Sequence, residues 1–173
     1  MQIQPTVSQE FIAHAIYQMR LNLPRIEKCF AQLTEEEVWK RPNPESNSIG
    51  NLIVHLSGNI RQWIVSSIGG AKDIRQRNEE FEMQEGLSQK ELYDLLASTI
   101  QSAIESIQNL TEKDLLKKQS VQGYHYSALG NILHVVEHLS YHVGQIAYWT
   151  KVLKGQNLGF YDDNDSLNST NEI

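Results

Sequence analysis

Apolar residues recur at steps of three and four through nearly the whole of this 173-residue chain, and no stretch alternates apolar with polar long enough to demand a strand. That periodicity restricts the chain to helices packed against one another. A first helix is expected after Ser8 as cap, with Ile12, Ile16, Met19, Leu23, Ile26 and Phe30 on one face and Pro24 inside it. Thr34 with Glu37 reads as a capping box opening a short turn of helix. A second helix is expected from about Ile49 to Ile68, stopped by Gly69 and Gly70. Ser88 with Glu91 caps a third helix, striped by Leu92, Leu96, Thr99, Ala103, Ile107 and Leu110. A fourth helix runs from Ser127 to about Lys154, where Gly155 halts it. The segments 71–86 and 111–126 read as connections, the latter with a short extended piece around Val121. The fold class is therefore all-α, a four-helix bundle with one core over residues 1–155 and a polar tail over 156–173 that is mobile apart from Phe160 and Tyr161.

Charge narrows the function. Fifteen Lys and Arg against 21 Asp and Glu give a net charge of −6, and no basic cluster is long enough to track a phosphate backbone, so nucleic acid is not expected as a partner. No apolar run approaches the roughly 20 residues that cross a bilayer, and the start Met-Gln-Ile-Gln-Pro lacks the basic and apolar parts of a signal peptide. The expectation is a cytoplasmic protein without a membrane partner. The single cysteine, Cys29, lies among Ile26, Phe30 and Leu33 and reads as a small core thiol.

The second and fourth helices carry few charges: Arg61 on one, and Glu137 before Lys151 on the other. They are expected to be the more buried pair. Each nevertheless bears a strip of uncharged polar groups. Ser48, Asn51, Gly58, Asn59, Gln62 and Ser66 fall within about 60° of His55. Asn131, His134, His138, Tyr141, His142, Gln145 and Trp149 form the facing strip. A solvated helix face recruits Lys, Glu and Arg, so these strips suit opposite walls of an enclosed, water-accessible cleft. Imidazoles four residues apart share a helix face, about 6 Å apart along the axis, and two of them with His55 would make a three-nitrogen metal site with room for water. His134, His138 and His142 cannot all join, because the outer two lie about 12 Å apart. Spacing does not choose between the two adjacent pairs. His134-Val-Val-Glu137-His138 also matches the H-x-x-E-H pattern of some metallopeptidases, although the chain lacks the length of such domains.

The stretch Asn47-Ser-Ile-Gly-Asn-Leu-Ile-Val-His55-Leu-Ser-Gly-Asn59, the later His138-x-x-x-His142-x-Gly-Gln145 and the arginine-rich run from Arg75 to Phe81 together resemble the DinB/YfiT-like family, over roughly residues 5 to 155. The resemblance implies an up-down-down-up four-helix bundle and metal ligation by His55, His138 and His142, with His134 a neighbour. It also implies homodimers, and for some members thiol-dependent S-transferase or isomerase activity with low-molecular-weight thiols. Val143 stands where many members carry arginine before the Gly-Gln pair, which removes a grip on an anionic thiol.

The function expected is a divalent-metal protein, zinc or nickel being the metals that imidazole suits, acting as a metal-dependent enzyme on a small molecule and in particular as a thiol S-transferase. The alternatives are a non-catalytic, metal-stabilised stress or scaffold protein and a metal-dependent hydrolase. Gln145 is placed for a metal-bound water or substrate, Asn59 and Tyr141 are candidate supports, and Arg75 and Arg77 are candidates to attract a carboxylate at the cleft mouth. His14 and His125 receive no role.

Overall fold

The computed structural model describes residues 4–161. Its four long helices are α1 (Val7–Phe30), α3 (Ile49–Ile60), α5 (Gln89–Ile107) and α7 (Ala128–Lys154), with shorter α2 (Glu35–Trp39), α4 (Arg77–Glu82) and α6 (Glu112–Leu115) between them. α1 packs on α5 and α7, and α3 packs on the same two, which makes a four-helix bundle. Among the described residues no helix is long and apolar enough to cross a membrane.

The chain marks its own helix starts. Thr6, Thr34, Ser48, Ser88 and Thr111 each cap a helix through a hydroxyl on the N3 amide, while the N3 side chain returns to the cap amide. Thr6 therefore opens α1, with Gln9 closing the box, rather than Ser8 two residues on. α7 begins after Ser127 and ends on Gly155, whose left-handed φ of 65° suits glycine. Each stripe then faces inward: Ile12, Met19 and Ile26 from α1, Ile53, Leu56 and Ile60 from α3, Leu92, Leu96 and Ile100 from α5, and Ile132, Val135, Leu139 and Ile146 from α7 make one core. Cys29 is fully buried in it, and burial raises its thiol pKa, so it is a core thiol.

Three features depart from the helical reading. The second helix is not regular to its end: Arg61–Ser66 is wound as a π-helix, a form that recurs at functional sites. The connection after it contains α4. The linker before α7 contains α6 and an antiparallel hairpin of β1 (Lys118–Val121) and β2 (Tyr124–Ser127), with Val121 opposite Tyr124. Gln122 and Gly123 both take positive φ, 52° and 84°, the mark of a two-residue hairpin turn.

α3 is buried along most of its length, as its low charge implies. α7 is not: Leu133, Tyr141, Tyr148 and Val152 stand open on its outer face. After Gly155 the chain turns back along α1, where Leu158 is buried at 3 % exposure, Gln32 donates to the Asn157 carbonyl and Lys28 donates to that of Gly159. The remainder of the tail expected to be mobile, residues 162–173, lies outside the described residues.

The start of α3 is set by a close approach. A Cβ on Gly50 would come within 2.7 Å of the Trp39 ring, while Trp39 Nε1 donates to the Leu87 carbonyl at 3.0 Å and so cannot swing away freely. Gly50→Ala is expected to destabilise the protein by about 1–3 kcal/mol, the usual cost of overpacking, measured as a lower urea midpoint. An unchanged midpoint would mean that Trp39 yields without cost.

Candidate metal centre

His55 sits in the middle of α3, and His138 and His142 sit one turn apart on α7. Packing of the two helices brings one ring nitrogen of each within 4.8 Å of the other two. His55 Nε2 faces His138 Nε2 at 2.9 Å, and the ring of His142 stands edge-on to both, with centroids 5.2 and 4.5 Å away. His55 is buried, while His138 and His142 are partly open. His134 lies outside this group. It stacks on Trp63 at 4.2 Å and on His138 at 5.4 Å, and its Nε2 meets Asn59 Nδ2 at 3.4 Å. Of the two pairs that spacing left equal, the fold joins His138 and His142 to His55.

What aims the rings lies largely in the 71–86 segment. Glu80, on α4, is buried at 5 % exposure and places Oε2 2.9 Å from His55 Nδ1. Two acceptors cannot face each other at that distance, so Nδ1 carries the proton and donates to the carboxylate. That tautomer leaves the Nε2 lone pair free, the arrangement that favours a metal-binding histidine. Arg75 then clamps Glu80 with both arms of its guanidinium, Nε to Oε1 at 2.7 Å and an η nitrogen to Oε2 at 2.8 Å. Its other η nitrogen donates to Gln62 Oε1 at 3.0 Å. Burial alone would raise the Glu80 pKa; hydrogen bonds from Arg75 and His55 outweigh it and hold the carboxyl below its usual range, ionised at neutral pH.

The clamp needs Gly58. A Cβ there would lie 2.1 Å from Glu80 Oε1 and 3.1 Å from Arg75 Nε, so only glycine lets the ion pair lie against α3. Asn51 fixes the backbone of the same strap. Its amide nitrogen donates to the carbonyls of Glu80 and Met83 at 3.0 and 2.7 Å, while its oxygen completes the Ser48 cap. Arg41 donates to the Phe81 carbonyl, and the Phe81 ring packs 4.7 Å from that of His55.

On α7, His142 Nδ1 lies 2.7 Å from Gln145 Oε1, so the imidazole donates there and its Nε2 is left for an ion. The structure thus gives Gln145 a contact with His142 itself. Asn59 touches His134 rather than the triad, and Tyr141 is exposed with its ring edge-on to His142 at 5.0 Å. Arg75, expected to be free for an incoming carboxylate, is committed to Glu80. Glu137 is exposed, and His134 is not joined to His138 in the metal-ligating group, so the H-x-x-E-H pattern does not describe this site. His14 is exposed, and His125 pairs with Ser120 in the hairpin.

The two polar strips face each other across a cleft over part of their length, and the C-terminal part of the α7 strip turns into a second hollow. His55, Asn59, His134 and His138 line a cleft of about 250 Å³ closed by Trp63, Tyr124 and Tyr126. Gln145, Tyr141 and Trp149 line a separate hollow of about 640 Å³ beside the loop that carries Pro42 and Ser46.

The donor set suits a transition-metal ion. Tetrahedral ligation at 2.0–2.1 Å separates two nitrogens by about 3.3 Å, and the 2.9 Å between His55 and His138 needs only a small opening to reach it. The same crowding shapes the acid behaviour. Burial, then the neighbouring imidazoles His142, His55 and His134 together with Arg75, pushes the His138 pKa down to about 3; burial also lowers that of His142. A folded pKa below the unfolded value of about 6.5 means that the unfolded chain binds more protons between the two. The metal-free protein is therefore expected to keep this contribution to stability above pH 6.5 and lose it progressively as the pH falls towards 3. In an NMR titration of metal-free protein, the His138 ring should stay neutral at pH 5; protonation near pH 6.5 would contradict the packing described.

Over residues 6–161 the chain matches the family described as protein of unknown function, DUF1572. Among solved structures it is similar to a conserved protein from Enterococcus faecalis, with a TM-score of 0.67 and 16 % identity over 88 % of this chain and 100 % of that one. It is also similar to a DinB-like protein from Bacillus cereus ATCC 10987, with a TM-score of 0.64 and 19 % identity over 86 % of this chain and 93 % of that one. The DinB-like protein YjoA from Bacillus subtilis gives 0.61 and 16 % over the same shares. At these identities the likeness speaks for the fold. No curated protein matches. On a DinB-like helical bundle with a histidine triad able to hold a metal, the chain belongs to the DUF1572 family of proteins of unknown function.

Proposed function

We propose that His55, His138 and His142 bind one divalent metal ion, zinc or nickel, and that the protein is a metal-dependent enzyme acting on a small molecule, with thiol transfer to an electrophile as its reaction class. The observation that carries this reading is the convergence of three imidazoles, two of them with their far nitrogen tied to an oxygen acceptor, Glu80 or Gln145. Such a bound ion would supply a Lewis acid that holds a thiol as thiolate or acidifies a water.

The chain's own residues do the rest. Glu80 and Arg75 hold His55 in one tautomer, Gln145 holds His142, and a carboxylate behind the imidazole raises its basicity as a ligand. Three ligands and no carboxylate or thiol among the described residues to complete the group favour an open site, as catalysis needs, over a closed structural one. His138, partly open, lines the cleft together with His55 and leaves the group reachable from solvent. A small-molecule substrate and a second copy of the chain are the partners this reading calls for.

Elemental analysis after dialysis tests the assignment. His55→Ala, His138→Ala and His142→Ala are each expected to lose the metal, while His134→Ala retains it; loss in His134→Ala to the same degree would put the ion elsewhere. Thiol-conjugation assays on the wild type separate the reactions: metal retention with a large fall in melting temperature on stripping, and no thiol-dependent turnover, would replace the enzyme with a metal-stabilised scaffold.

Gly58→Ala and Glu80→Gln act without touching a ligand nitrogen. Both are expected to weaken metal binding by about 10–100-fold, the usual cost of losing the group behind a metal-binding histidine, measured by competition with a chelating dye. Unchanged affinity in both would show that His55 does not depend on the clamp.

A further inference from the structure

The cleft of about 250 Å³ beside the imidazoles has walls that metal binding does not require. Trp63 comes from the π-wound turn after α3, and Tyr124 and Tyr126 come from β2. Their rings form a triangle with centroids 5.4 to 6.0 Å apart. Trp63 is 2 % exposed, whereas Tyr124 and Tyr126 stand 53 % and 39 % open. Two tyrosines left facing solvent at the mouth of a site are a surface on which a flat ring can lie.

The hairpin is held over the cleft by design of its turn. Gln122 takes its positive φ at the tip, and its side chain donates to Gln62 Oε1 at 2.7 Å, the same oxygen that receives Arg75. A hairpin that served only to connect α6 with α7 would have no need of that tie.

Charge enters through Arg77, which also lines the cleft. Arg75 is committed to Glu80, but Arg77 is exposed and, among the described residues, has no ion pair; its guanidinium lies 5.0 Å over the Phe81 ring. In a chain of net charge −6, an unneutralised guanidinium beside neutral imidazoles makes this cleft a place for an anion, and the planar fork suits a carboxylate.

We propose that this cleft binds a small aromatic carboxylate, its ring against Tyr124 and Tyr126 and its acid group on Arg77. The volume lies below the roughly 300–1,000 Å³ of sites for drug-sized ligands, so one ring with a short acid arm is the size that fits. The proposal rests on the metal-dependent reading only in taking this molecule as the substrate whose other end approaches the imidazoles; the binding itself needs Arg77 and the hairpin.

Calorimetry with 3-phenylpropionate and its uncharged counterpart 3-phenylpropanamide tests it, on the full chain in both metal-loaded and metal-free form. The acid is expected to bind about tenfold more tightly than the amide, the worth of one charge-assisted pair, in both forms. Arg77→Gln should remove that preference and Arg77→Lys keep part of it. Tyr124→Ala with Tyr126→Ala should weaken acid and amide alike, melting temperature and metal content being unchanged. An acid preference that needs the metal, or that survives in Arg77→Gln, would place the carboxylate on the ion and overturn the proposal, as would the absence of saturable binding. Metal content measured on the same samples keeps the two readings apart: an Arg77-dependent preference in protein that retains no metal upholds this cleft and removes the ion.

Discussion

A buried carboxylate, Glu80, held between the Arg75 guanidinium and the His55 ring, is the interaction on which the rest of this structure turns. Taking a carboxylate and a guanidinium out of water costs several kcal/mol per ion, and only close, fully hydrogen-bonded geometry offsets it. Here both carboxylate oxygens receive Arg75, and one also receives His55. Removing one partner would strand the other charge, a loss of about 3–5 kcal/mol. That penalty explains why the strap from Arg75 to Met83 is bound so many ways. Asn51 holds its carbonyls, Arg41 holds Phe81, and Gly58 keeps the surface of α3 bare beneath it.

The consequence at the site is orientation. A neutral imidazole offers its lone pair from whichever nitrogen lacks the proton, and the nearest acceptor decides which that is. Glu80 settles the question for His55, and Gln145 does so for His142. His138 is held in the group by contact alone, its ring 5.1 Å from that of His55 and 4.5 Å from that of His142. The bundle thus supplies convergence and the side chains behind the rings supply direction. The hairpin and the π-wound turn add a wall of aromatic rings that neither task requires.

The bundle was legible in the sequence because it follows from local periodicity, while the full trio of His55, His138 and His142 came from the resemblance to the DinB/YfiT-like family. Apolar spacing gave the four helices, the Thr34 and Ser88 boxes gave two of their starts, and the i, i+4 spacing of His138 and His142 put two imidazoles on one face. The choice against His134 was not legible from spacing, because it depends on how far along α7 the α3 helix crosses. Glu80 was missed for a related reason. It lies in a charged run that reads as a solvated connection, and its burial depends on Gly58 and Arg75, separated from it by 22 and 5 residues. Arg75 is visible in the sequence as a cation near the cleft mouth, but its partner is the carboxylate of its own strap. A search for an acid able to stand behind a metal-binding histidine would have drawn attention to that run. Of the hairpin, the extended piece around Val121 was legible and is β1, whereas its pairing with β2 was hidden by brevity, resting on the Gln122-Gly123 turn rather than on alternation. The short docked stretch to Tyr161 depended on one residue, Leu158, finding the core beside α1.

The histidine triad is tested most directly by where an ion binds. Crystals of protein loaded with zinc and measured on either side of the zinc absorption edge should show one anomalous peak, about 2.0–2.1 Å from the Nε2 atoms of His55, His138 and His142, with His134 outside the coordination sphere. A peak held by His134 and His138, or an anomalous map with no peak between α3 and α7, would contradict it.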